Sequence, residues 1–326
     1  MVKKIYRIIF LSFIAAGCTN SNAPESNKAE EVGYTIETRD IDNFWAAYDS
    51  LATSTDSART FQEFYLDKAS PYFQEFLRVR NFRAKEYAHL VRTMPEYWKT
   101  IRPLTEDIQN RKSELGPAFN KFRELYPAFK QPDVCFAIGA LRTGGTVTNG
   151  LILIGAEIEA ADQSVNLSEF EKGNFIGTVL QHKTGDIVGL VLHEAVHTQQ
   201  LASDAEDSSL LKEAIEEGAA DFIASLILNK VTLSKAIYDY GVAHERQLWQ
   251  EFYADVKAGK LVSDTDWMYN YRSSRPADLG YFIGYRICEA YYHKASDKKQ
   301  AIEEIIMMKN TEEFLLKSCY TEKFGS

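Results

Sequence analysis

The stretch LLKEAIEEGAADFIASLIL, Leu210–Leu228, has helical periodicity, yet it sets two carboxylates where apolar side chains belong. At 3.6 residues per turn, Leu210, Ala214, Glu217, Asp221, Ala224 and Leu228 fall within about 40° of one line along the helix. A carboxylate in an apolar stripe is costly to bury unless it is paired, hydrogen-bonded or bound to a metal. Glu217 and Asp221 therefore need partners. Glu216 reads as pointing to the opposite, solvent side, and Glu213 lies at the margin of the stripe.

Candidate partners lie just upstream. Asp186 can cap a helix running through IVGLVLHEAVHTQQL. His193 and His197, four residues apart, leave the same face of that helix, as two zinc ligands must. Glu194, about 100° away around the axis, can approach a metal-bound water from the side. Two histidines satisfied by core hydrogen bonds are the alternative, and the acidic stripe twenty residues later is the independent feature against it. Glu217 is then the third ligand. Asp221, one turn on, accepts the outward N–H of His193 and so fixes its tautomer.

HEAVH followed by EGAAD resembles the thermolysin-like gluzincins, whose helix pair carries HExxH and then ExxxD. The resemblance implies one zinc ion per chain on His193, His197 and Glu217, and peptide-bond hydrolysis with Glu194 as the general base. It also implies a later Tyr or His that stabilises the oxyanion. Tyr281 is the favoured candidate, with Tyr285, His244 and His293 as others; Gly280 and Gly284 let their helix approach a neighbour closely. A narrower likeness rests on RTGGTVTNGLILIGAE (Arg142–Glu157), GYFIGYRI (Gly280–Ile287) and the N-terminus described next. It is to the predicted zinc-dependent protease lipoproteins of Gram-negative bacteria related to gliding-motility lipoproteins, and covers roughly residues 130–295.

The chain opens with a basic MVKKIYR, an apolar IIFLSFIAA and then AAGC, the layout of a secretory signal. It resembles a bacterial lipoprotein signal with Cys18 as the lipidated residue, although Ala15 stands where Leu is commonest. Residues 19–38 read as a flexible tether. The expected location is the cell envelope, anchored by lipid and facing the periplasm from the outer membrane, since TNSN after Cys18 carries no acidic export mark, with the cell surface as the alternative. The net charge is −9, and the body behind the signal carries no basic run, which argues against nucleic acid as a partner. Cys135, Cys288 and Cys319 are odd in number, so buried thiols are expected rather than a disulfide framework; a Cys288–Cys319 bridge stays open.

At 45% hydrophobic residues the chain can bury a sizeable core. Residues 39–130 read as helices punctuated by Pro71, Pro95, Pro103, Pro117 and Pro127, each suited to a helix start or stop. DVCFAIGAL and LILIGAE read as strands joined by the turn-rich RTGGTVTNG. LILIGAE is either an edge for a bound peptide or an internal support. Arg142 in the connection is a weak candidate for a substrate carboxylate. The expected class is α+β, mostly helical, with a metallopeptidase-like region over 131–326, or one compact domain over 39–326. Two functions follow: a zinc metallopeptidase acting on a peptide or protein substrate, or a non-catalytic component of an envelope machine with protein partners.

Overall fold

The computed structural model describes residues 34–201, 209–270 and 275–325. Cys18 and most of the tether lie outside them. The molecule is 63% helix and 6% strand, the mostly helical α+β architecture expected.

The N-terminal helices are α1 (Arg39–Ser50), α2 (Ser57–Phe61), α3 (Pro71–Arg80), α4 (Ala84–Thr93), α5 (Pro95–Arg111) and α6 (Leu115–Leu125). Pro71 and Pro95 occupy first-turn positions, where the missing N–H costs nothing. Pro103 departs from the expectation and lies inside α5. These helices share a dense aromatic core in which Phe44 meets Trp45, Phe61, Tyr65, Tyr87 and Trp98.

Four strands form one sheet: β1 (Ile36–Glu37), β2 (Asp133–Ala137), β3 (Gly145–Thr148) and β4 (Leu151–Gly155), in the order β1-β2-β4-β3. β1 and β4 run parallel to β2, whereas β3 is antiparallel to β4. Two sequence readings change here. β1 belongs to the folded body although it falls in the segment read as tether. The connection RTGGTVTNG contributes the edge strand β3, and LILIGAE is internal. The β-branched Thr146-Val147-Thr148 suits a strand, and Asn149 and Gly150, with φ of 46° and 75°, make the hairpin turn.

Between β2 and β3 the backbone turns through Ala140 and Leu141, both with φ of 54°. The buried Glu157 carboxylate secures this turn by accepting from Gly139 N at 2.8 Å and Leu141 N at 2.7 Å. Hydroxyls of Tyr65 and Tyr87 both donate to Ile138 O at 2.8 Å, and that of Tyr97 donates to Glu157 O at 2.5 Å. The helical region thus clamps the loop, and its core is contiguous with that of the rest.

The chain continues through α7 (Ala156–Glu159), α8 (Phe175–Leu180), α9 (Ile187–His197), α10 (Leu210–Leu228), α11 (Lys235–Lys257), α12 (Leu279–Lys294), α13 (Lys298–Ile306) and α14 (Thr311–Ser318). α10 is the central helix, packed by α6, α9, α12, α13 and α14. It meets α12 backbone to backbone: a Cβ on Gly284 would lie 1.7 Å from Ala214 O, and one on Gly218 would lie 2.1 Å from Tyr285 N. Because neighbours surround α10, Glu216 is buried (8% exposed), correcting the expectation that it faces solvent. Cys135, Cys288 and Cys319 are free thiols. Among the described residues no helix is long and apolar enough to cross a membrane.

Candidate metal centre

Asp186 caps α9 by accepting from Gly189 N at 3.1 Å, which starts the helix in the register that aims both histidines at α10. His193 Nε2, His197 Nε2 and Glu217 Oε2 then form a triangle. Its sides are 3.0 Å between the two nitrogens and 3.3 Å from each nitrogen to the oxygen. Ligand atoms about 2.0–2.1 Å from a tetrahedral zinc are about 3.3–3.4 Å apart, so this donor set fits that ion.

The outward hydrogen bonds decide where the protons are. His193 Nδ1 lies 3.2 Å from Asp221 Oδ1, a carboxylate oxygen that can only accept. His197 Nδ1 lies 2.7 Å from Gln200 Oε1. The Gln200 amide is oriented by Nε2, which donates to Glu216 O at 2.8 Å, so its oxygen faces the ring. Each histidine therefore carries its proton on Nδ1 and turns an Nε2 lone pair inward. Two lone pairs and a carboxylate oxygen converge, a set that calls for a cation.

Burial alone would lower the His193 pKa, but Asp221 and Glu217 hold it well above the usual histidine value. With no cation between them, the same carboxylates draw a second proton onto the histidine, which a metal would displace. Burial alone would raise that of Glu217, but His197 and His193 hold it well below the usual carboxylate range. Thr232 steadies Asp221, its hydroxyl lying 3.3 Å from Oδ1.

The remaining candidates fall around this centre or away from it. Glu194 is half-buried, and its carboxylate makes no hydrogen bond or ion pair among the described residues. A Cβ at Gly145, the first residue of β3, would come within 3.4 Å of its Oε1, so the glycine keeps this carboxylate uncovered. The Tyr281 ring lies nearly parallel to that of His193, at 13° and 6.3 Å between centroids. Burial, then Glu217, push its pKa well above the usual value, so the phenol keeps its proton.

Tyr285 packs edge-on against Phe222 in the core, and His244 and His293 are exposed. Arg142 is engaged elsewhere: it pairs with Glu86 at 3.1 Å and covers the Phe82 ring. Three residues of the site escaped sequence reasoning. Gln200 was legible as a polar residue one turn after His197, whereas Thr232 and Tyr269 reach the site only through tertiary structure. Tyr269 meets Tyr281 edge-on at 6.3 Å from a left-handed backbone position, φ 58°.

A model of the family described as gliding motility protein GldB matches residues 20–322. The chain belongs to this gliding-motility lipoprotein family. No curated protein and no solved structure matches it. The GldB match spans nearly the whole sequence, so the helices of residues 39–130 and the α9–α10 pair fall within one family unit.

Proposed function

We propose that this chain serves the gliding machinery of the cell envelope as a lipid-anchored component, and that its metal centre gives it gluzincin-type peptidase chemistry. The observation that carries the catalytic part is Glu194. A metal that only stabilises the fold needs His193, His197 and Glu217 with their supporting acceptors. It has no use for a carboxylate on the same helix that makes no bond among the described residues.

Zinc held by His193, His197 and Glu217 would supply a Lewis acid for a peptide carbonyl and for the attacking water. Glu194 is the base that takes the proton from that water and returns it to the leaving amine. Tyr281 keeps its phenolic proton near neutral pH and donates it as a hydrogen bond where charge develops on the carbonyl oxygen. Gly145 leaves room for the substrate backbone at the free edge of β3.

A second reading keeps the fold but not the reaction: a non-catalytic part of the same machine. The family description favours it, since it speaks of motility rather than hydrolysis. The full chain in detergent separates the two. Elemental analysis is expected to give about one zinc per chain, lost in Glu217→Ala. Glu194→Gln is expected to keep the zinc and to slow cleavage of a generic peptide mixture by about 10²- to 10⁴-fold. Zinc without cleavage in the wild type, or a wild type without zinc, would establish the second reading and sink the first.

A further inference from the structure

Arg80, the last residue of α3, carries its guanidinium to the free edge of the sheet. Its terminal nitrogen NH2 lies 3.5 Å from Gly145 O, at the long limit of a hydrogen bond, while its buried Nε has no hydrogen-bond partner among the described residues. Gly145 is the residue that borders Glu194. Arg80 and the candidate general base thus both border the first residue of the edge strand.

Its surroundings are unusual for a half-buried cation, which is costly without an anion. The nearby arginines are paired, Arg78 with Glu75 at 2.6 Å and Arg142 with Glu86 at 3.1 Å. No carboxylate pairs with Arg80 among the described residues. Burial, then the like charge of Arg142, hold its pKa below the usual arginine value, whereas Arg78 and Arg102 are held above it by Glu75 and Asp49. The C-terminal end of α3 favours a cation, but it leaves the Nε without an acceptor.

We infer that Arg80 is a specificity-determining residue that receives a carboxylate of the substrate peptide, either an acidic side chain or a free C-terminus, beside the bond at Glu194. The inference rests on the peptidase reading of the same centre. A planar guanidinium is suited to a carboxylate through two parallel N–H donors, here those of its terminal nitrogens, since the buried Nε is closed to an incoming group, and no carboxylate of the described residues takes that place.

Binding and cleavage are measured separately on the full chain, loaded with zinc in detergent. Three dye-labelled pentapeptides differ only in charge: one with a Glu side chain and an amidated end, one neutral with a free C-terminus, one neutral and amidated. Fluorescence anisotropy on protein carrying Glu194→Gln is expected to show at least one carboxylate peptide binding about 10- to 100-fold more tightly than the neutral amide. The tighter of the two identifies which carboxylate is read.

Adding Arg80→Gln is expected to bring all three affinities together. Arg80→Lys keeps the charge without the fork and is expected to retain a reduced preference; it decides the matter if the glutamine variant fails to fold. Equal affinities in the presence of Arg80, or an undiminished preference in either variant, would overturn the inference. Cleavage of the same peptides by protein with Glu194 intact tests the peptidase reading on its own. Preference without cleavage removes that reading and leaves the anion site standing, and cleavage without preference does the reverse.

Discussion

Gln200→Met tests the reasoning about proton positions at the centre. The glutamine holds no ligand position, yet its Oε1 lies 2.7 Å from His197 Nδ1 and keeps the Nε2 lone pair turned inward. Methionine has similar length and no acceptor of comparable strength. Losing a partner of this kind weakens a metal by about 10- to 100-fold. At a free zinc concentration 100 times the wild-type Kd, zinc stabilises the wild type by about 2.7 kcal/mol and the variant by only about 0.4 to 1.4 kcal/mol. Competition against a chromogenic chelator reads the affinity, and urea unfolding with and without zinc reads the stabilisation. Gln200→Glu is the control: it keeps an oxygen for His197 while giving up the bond to Glu216 O, so its affinity should not fall. Wild-type affinity in Gln200→Met would refute the tautomer argument. A loss shared equally by both variants would assign the effect to the Glu216 bond instead.

Gly284→Ala drives a methyl group into Ala214 O, a backbone atom that cannot step aside as a side chain can. It should cost about 3 kcal/mol, the upper part of the usual overpacking range, and a wild-type midpoint in urea would show that α10 and α12 separate more easily than their contact implies. Burial pushes Glu157 up to about 7, against the amide donors of Gly139 and Leu141. Its folded pKa thus exceeds the unfolded one, so the native state binds more protons in that window. Its contribution is complete below the ordinary glutamate range and is lost as pH rises through about 7, on the order of 3 kcal/mol in all. Urea unfolding of the metal-free wild type and Glu157→Gln at pH 5 and pH 8 checks the sign; a wild type that gains stability relative to the variant on going to pH 8 would contradict it.

The helix pair was legible because its signals are local. Asp186 as a cap, histidines four residues apart, and Glu217 and Asp221 in an apolar stripe all follow from 3.6 residues per turn. The same periodicity misplaced Glu216, because a helix wrapped on all sides has no solvent face and periodicity does not count neighbours. β3 was hidden by its turn-forming flanks, Gly144-Gly145 and Asn149-Gly150, which spoke more strongly than three β-branched residues between them. Arg142 and Arg80 show the limit most clearly. The arginine in the glycine-rich connection drew attention and is occupied by Glu86. The one at the strand edge comes from α3, sixty-five positions before Gly145, and nothing local announces where its guanidinium arrives.

The crossing of Gly218 and Gly284 gives the centre a particular kind of ancestry. Glu217 sits one residue from that contact and Tyr281 three, so the ligand and the phenol take their spacing from two main chains in touch rather than from rotamers above them. Drift elsewhere in the sequence can reshape loops, the outer helices and the surface that a partner meets without altering that spacing. Change at the crossing has no such latitude, for there is no side chain to trim in compensation, and both groups would move together. A lineage could therefore remodel nearly everything it shows to the outside while passing on the same pair of atoms at the same separation.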